Sequence, residues 1–258
     1  MNYYFLLKNN IKHIQSEIDI INFSPSKVFS QSKSEDSILH YFYSNGEEWI
    51  FKDLCNLPKD QTFTINENYF ENELEDKSIF FSINKKKLNN QKILIDENYH
   101  ISKIAWRANI KIKFKDNYTS YQGEYPSTMT KKKVSLVSCS PMIQNNKNIK
   151  NYFYLVNLVT KPQINNFKIN ILNSNKQKLA TLNCKTNTIN FFDLNDLNIV
   201  YNKNMYIFQS TDGGGIPIYF SIDSNGQMSL EHTHPPTEYT LHGNRFFFQK
   251  LKKNFWKL

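Results

Sequence analysis

The sequence predicts an all-β protein made of two tandem antiparallel β-sandwich units, Ig-like or jelly-roll-like, with little helix. Three observations carry this expectation. Apolar and polar residues alternate with a period of two in many short runs, the pattern of half-buried strands. These runs recur at spacings of roughly 8 to 12 residues, punctuated by Asn, Ser, Gly and Pro, as in sandwiches. The second half also repeats the grammar of the first. Ser44 in the turn Tyr43-Ser44-Asn45-Gly46 precedes Ile79 of Ser78-Ile79-Phe80 by 35 residues, and Ser174 in Asn173-Ser174-Asn175-Lys176 precedes Ile207 of Tyr206-Ile207-Phe208 by 33.

A chain of 258 residues with 40% hydrophobic and 15% aromatic residues can bury a sizeable core, which excludes general disorder. The organisation expected is an N-terminal extension over residues 1–30, a first sandwich over 31–130, and a second over 131–258 that carries the candidate site. Within the extension, Leu7, Ile11, Ile14, Ile18 and Ile21 recur every three or four residues and predict a short helix near 10–20. From Asp36 the period is two: Ile38, His40 and Phe42 alternate with Leu39, Tyr41 and Tyr43 up to the Ser44-Asn45-Gly46 turn, and Trp49 to Phe51 resumes the pattern as a hairpin.

Further strands are expected at Thr62–Ile65, Ser78–Ile83, Lys92–Ile95, His100–Trp106 and Asn109–Lys115. In the last, Lys111, Lys113 and Lys115 alternate strictly with Ile110, Ile112 and Phe114, so one face is solvated and one packed. Asp116–Thr130, polar and aromatic with Gly123 and Pro126, reads as an ordered loop. Val134–Cys139, Tyr152–Val159, Phe167–Ile171, Leu179–Leu182, Thr188–Phe192, Met205–Gln209, Ile216–Ile222 and Met228–Thr233 continue the strand pattern. The aromatic run 244–258 is expected to dock onto the sandwich.

The formal charge of +9 is carried almost wholly by Lys, with Arg107 and Arg245 the two arginines. Specific nucleic-acid surfaces favour Arg for bidentate contacts, so no specific nucleic-acid partner is expected. Cys55, Cys139 and Cys184 are odd in number and far apart, which speaks against a disulfide framework or a cysteine-built zinc site. The first residues, MNYYFLLKNN, lack the features of a signal peptide, and no apolar run reaches the length of a spanning helix, so cytoplasmic residence is the expectation.

Chemistry concentrates between Asp212 and Gly243. This stretch holds five of the seven glycines and three of the six histidines, His232, His234 and His242. Asp212-Gly213-Gly214-Gly215 lacks the pattern of a phosphate loop and reads as a tight turn or a close backbone approach. His232 and His234, two apart in an extended segment, project to one face and can hold a divalent metal, with Glu238 or Glu231 supplying an oxygen. Gly226, His232, His234 and Glu238 together resemble the first motif of the cupin family. Across these 18 residues the resemblance implies metal ligation by His232, His234 and Glu238. Gly243 stands five residues after Glu238 rather than the two of that motif, and fifteen residues follow it.

Two functional readings follow. The first is a non-catalytic binding or assembly module for a carbohydrate or anionic glycan. Its ligand residues are Asp212, Gly214, Trp106, Arg107, Tyr121 and Arg245, where aromatic faces beside polar edges suit a sugar ring. The second is a cupin-like metal-dependent isomerase or oxygenase using His232, His234 and Glu238. No nucleophile elbow, HExxH or Ser-His-Asp context supports hydrolase chemistry.

Overall fold

A computed structural model describes residues 2–22, 36–70, 77–94, 108–130, 135–140, 148–197, 199 and 205–232. Strands are the dominant structure of these residues, in four antiparallel sheets, and the all-β sandwich class predicted from the sequence is what is seen. Helical structure among them is confined to single 3-10 turns at Glu67–Phe70, Ser127–Thr130 and Asn195–Leu197. No helix among the described residues is long and apolar enough to cross a membrane.

The chain forms two compact units. The first holds residues 1–132 with 158–164 and 187–189, and the second holds 133–157, 165–186 and 190–258. Unit 1 contains β1 (Asn2–Phe5), β2 (Ile14–Asn22), β3 (Ser37–Ser44), β4 (Trp49–Leu57), β5 (Gln61–Asn66), β6 (Phe80–Asn84), β7 (Ala108–Phe114), β8 (Asn117–Gly123) and β9 (Tyr125–Pro126). They pair as β4-β3-β6-β1-β9 and β5-β2-β7-β8. Unit 2 contains β10 (Leu136–Ser140), β11 (Ile149–Val156), β12 (Asn166–Leu172), β13 (Lys178–Lys185), β14 (Ile189–Asp193, all but its first residue), β15 (Tyr206–Ser210), β16 (Ile216–Asp223) and β17 (Met228–His232), paired as β10-β15-β12-β13 and β14-β11-β16-β17. When β1 to β8 are matched in order to β10 to β17, the two units run through the same strand order in both sheets, with β9 an addition beside β1.

The predicted helix over 10–20 is corrected to a strand. In β2, Ile14, Ser16, Ile18, Ile20 and Asn22 are buried and Gln15, Glu17, Asp19 and Ile21 face the other way, which is a period of two. The three- and four-residue spacing of its isoleucines was incidental, and burial of the polar Ser16 and Asn22 hid the alternation. Within the stretch expected to be an N-terminal extension, β1 and β2 are interior strands of the two sheets of unit 1. Asp116–Thr130, expected to be a loop, contains β8, a sheet edge whose buried residues are only Tyr121 and Gly123. Lys92–Ile95 supplies no strand in its described part, and Gln91 forms an isolated bridge to Trp49 instead. His100–Trp106 and the run 244–258 lie outside the described residues.

Unit 1 is completed by its later segments. Trp49 Nε1–H donates to the Thr160 carbonyl at 3.1 Å, Tyr125 Oη–H to the Leu158 carbonyl at 2.9 Å, and Thr160 N–H to the Thr130 carbonyl at 2.7 Å. Asn187 Nδ2 holds the Lys161 and Gln163 carbonyls at 2.8 and 3.1 Å. On β3, His40 is wholly buried, with Nε2 lying 3.2 Å from Asp53 Oδ1 and accepting the Leu88 N–H at 3.3 Å. In unit 2 the core between the sheets is built from Phe153, Leu155, Phe167, Ile169, Ile171, Leu182, Phe208 and Tyr219, each withdrawn from water at a gain of about 1.5–3 kcal/mol.

Candidate functional site

The glycine-rich turn is explained by the protein's own packing. A Cβ on Gly213 would lie 2.3 Å from the Phe167 ring, and one on Gly215 would lie 2.1 Å from the Val156 carbonyl oxygen. The buried Gly214 carbonyl accepts a hydrogen bond from Asn157 Nδ2 at 2.5 Å. Ser210 Oγ accepts the N–H groups of Asp212 and Gly213 at 3.3 and 3.2 Å, and the exposed Asp212 Oδ1 takes the Thr211 hydroxyl at 2.9 Å. The close backbone approach expected here is made to Phe167, Val156 and Asn157, so the absent side chains leave room for neighbouring chain.

Tyr121 is corrected from a ligand-facing ring to a core residue. It is 8% exposed and stands opposite Ile110 on the packed face of the β7–β8 pair, where burial and then the Glu124 charge push its phenol well above the ordinary range. Tyr125 is likewise fully buried. Trp106, Arg107 and Arg245 lie outside the described residues. His232 ends β17, half-buried and opposite Ile218, while His234 and Glu238 lie outside the described residues. Among the described residues no three His, Cys, Asp or Glu side chains gather as a metal site.

What the structure does assemble is the outward face of the β5-β2-β7-β8 sheet. Because successive strand residues alternate faces, burial of Ile14, Ile18 and Ile20 on β2 and of Ile110 and Ile112 on β7 turns Glu17, Asp19, Asn109, Lys111 and Lys113 outward. Register then aligns them in rows across the strands. Thr64, Asp19, Asn109 and Gln122 stand abreast, as do Asn66, Glu17, Lys111 and Ser120, and then Gln15, Lys113 and Tyr118.

The centre of this face is one connected ionic cluster. Lys111 Nζ lies 3.0 Å from Glu17 Oε1 and 2.6 Å from Asp19 Oδ2, and Lys113 Nζ lies 2.6 Å from Glu17 Oε2. The Thr64 hydroxyl donates to Asp19 Oδ1 at 2.9 Å and Asn109 Nδ2 to Asp19 Oδ2 at 3.2 Å. Glu17, Asp19 and Lys111 are largely shielded, and charge-assisted bonds of this kind hold their long side chains in one arrangement. Partial burial pulls the Glu17 carboxyl up, but the bonds and charges of Lys113 and Lys111 outweigh it and hold the group below its usual range. Asp19 is lowered in the same way, burial being outweighed by Lys111, Thr64 and Asn109. For Lys111 burial works against the charge, and Asp19 and Glu17 overcome it to raise the ammonium.

Around the cluster lie exposed amides and hydroxyls: Gln15, Asn66, Ser120, Gln122 and Thr62. Tyr118 closes one row, 66% exposed, the more open of the two large exposed aromatics among the described residues, Tyr69 being at 51%. The outward lysines of β7 were legible in the sequence. A helix over 10–20 scatters Glu17 and Asp19, whereas the alternation in Gln15-Ser16-Glu17-Ile18-Asp19-Ile20 places them on one strand face. Tyr118 belongs to the polar-aromatic stretch that motivates a sugar ligand, but with that stretch placed in a loop its row beside Lys113 is not legible.

No family model matches the chain, and no curated protein matches it. Among solved structures it is similar to a Pleurotus ostreatus lectin in apo form, at 10% identity and a TM-score of 0.19 over 91% of this chain and 77% of that one. It is also similar to a lectin from Pleurotus ostreatus in complex with GalNAc, at 9% identity and 0.19 over 91% and 78%. Likenesses at that TM-score carry no weight for fold or ligand, and the functional reading rests on the residues.

Proposed function

We propose that the protein is a non-catalytic binding or assembly module that recognises a carbohydrate on the outward face of the β5-β2-β7-β8 sheet. One observation carries the reading: an exposed sheet face presents ordered carboxylate, ammonium, amide and hydroxyl groups in register beside the exposed ring of Tyr118. Sugars are recognised by that combination, an aromatic face against the apolar side of the ring and fixed polar groups at its edge. Positioned side chains also reduce the ordering cost that binding otherwise carries.

The test is a glycan array followed by calorimetric titration, run on the protein and on Tyr118→Ala. Binding of a sugar class that falls at least about tenfold in the variant supports the proposal. Absence of binding to every sugar class, or binding indifferent to Tyr118, removes it.

A further inference from the structure

The ionic cluster at the centre of the face makes a choice between charged and uncharged ligands. Its two carboxylates, Glu17 and Asp19, are matched by two ammonium groups, Lys111 and Lys113, so the cluster presents no net charge. Both oxygens of each carboxylate are already engaged, by Lys111, Lys113, Thr64 and Asn109. A sulfate or uronate arriving here meets ammonium groups whose charge is spent and carboxylates that repel it. The N–H groups that those lysines leave unused would hold an anion within reach of the same carboxylates, whose repulsion offsets the attraction.

A hydroxyl group faces no such conflict. An ammonium has three donors, and Lys113 uses one on Glu17, Lys111 one each on Glu17 and Asp19. A carboxylate offers about four acceptor positions, and Glu17 spends two of them on the lysines. Donors and acceptors therefore remain side by side on one face, and a sugar hydroxyl, which donates and accepts at once, satisfies both without displacing either partner. The neighbouring Gln122, Ser120 and Asn66 add uncharged groups of the same dual character.

Resting on the carbohydrate reading above, we infer that this face takes a neutral glycan and discriminates against an anionic one, although the whole chain carries a formal charge of +9. The discrimination comes from pairing each lysine of the face with a carboxylate, and the surplus lysines of the chain do not enter it.

The experiment titrates the full-length protein with neutral oligosaccharides and with sulfated or uronate-bearing ones, at low and at high salt, alongside Tyr118→Ala and Glu17→Gln. The expected result is Tyr118-dependent binding of a neutral oligosaccharide whose affinity changes less than about twofold with salt, because no screened charge drives it. Anionic glycans then fail to compete at that site. In Glu17→Gln, which leaves Lys113 without its partner, anionic glycans gain affinity and that gain is salt-sensitive. An anionic glycan bound by the unmodified protein in a Tyr118-dependent, salt-sensitive manner overturns the inference and leaves the carbohydrate reading standing. No Tyr118-dependent binding of either class overturns both. Should Glu17→Gln fail to fold, the comparison of the two glycan classes on the unmodified protein and Tyr118→Ala decides alone.

Discussion

The β5-β2-β7-β8 sheet of unit 1 and the β14-β11-β16-β17 sheet of unit 2 share a strand order and differ in what their outward positions carry. In unit 1 those positions on the two central strands are Gln15, Glu17, Asp19, Asn109, Lys111 and Lys113. In unit 2, with Phe153, Leu155 and Tyr219 given to the core between the sheets, they include Tyr152, Tyr154, Ile218, Phe220 and Ile222, all buried, with Lys150 exposed near the start of β11. Tyr152 stacks on Phe220 and Phe191 with ring centroids at 5.7 and 5.6 Å. One topology thus serves two ends. A strand apolar through successive central positions is withdrawn from water there on both faces, whereas a strand apolar at alternate positions keeps one face exposed. The connection of the strands leaves that choice open, and the residues at alternate positions make it.

Substitutions on the two faces separate these roles, beginning with the largest effect. Phe220→Ala, on the apolar face, is expected to cost about 3–5 kcal/mol, read as a fall in the urea midpoint, because it leaves a cavity where a fully buried ring stood. Gly215→Ala probes the turn at the head of β16. A methyl group there meets backbone, the Val156 carbonyl at 2.1 Å, so a loss of about 1–3 kcal/mol is expected from overpacking. A variant of unchanged stability shows that the turn has room for more than the chain's own atoms. On the polar face Glu17→Gln removes the carboxylate that Lys111 and Lys113 share, and about 1–2 kcal/mol is expected in the same denaturation experiment.

The two faces also differ in their response to acid. Glu17 and Asp19 are held below their ordinary values of 4.5 and 3.8, so the native state binds fewer protons than the unfolded chain there. Their contribution is present above those values and is lost as pH falls through the lowered ones. His40, on the other sheet of unit 1, is lowered from 6.5 by burial, which outweighs the opposing charge of Asp53, so its contribution is lost earlier, as pH falls below 6.5. Amide exchange followed against pH is expected to show unit 1 strands loosening first near His40 and then at β2 and β7, with the apolar β11–β16 pair following neither step. The smallest effect on stability belongs to Tyr118→Ala, expected within about 0.5 kcal/mol because the ring is exposed, while its effect on binding is expected to be large.

Much of the scaffold could be read from alternation, and the readings failed where alternation was masked by polar burial. β7 declared both of its faces because Ile and Lys are unambiguous, and β16 was readable because nearly every residue is apolar. In β2, Ser16 and Asn22 are buried polar groups, Asn22 Nδ2 donating to the Leu57 carbonyl at 2.9 Å, so the core face looked interrupted. β8 is an edge strand, and only Tyr121 and Gly123 mark its inner side. The site suffered from the same two errors. Glycines and histidines drew attention to 212–243, where Gly213 and Gly215 answer to Phe167 and Val156. The polar face is instead contributed by four strands drawn from residues 14–22, 61–66, 108–114 and 117–123, and only their register, which requires both β2 and β8 to be strands, brings them together.

The most direct test is to map the bound sugar by backbone amide shifts in NMR, titrating a neutral oligosaccharide selected from the array into the isotope-labelled protein. Shifts are expected at Glu17, Asp19, Lys111, Lys113, Tyr118 and Ser120, with Asp212 and His232 unmoved. Shifts centred on Asp212 and His232 with the β2, β7 and β8 amides unmoved contradict a sugar site on the polar face.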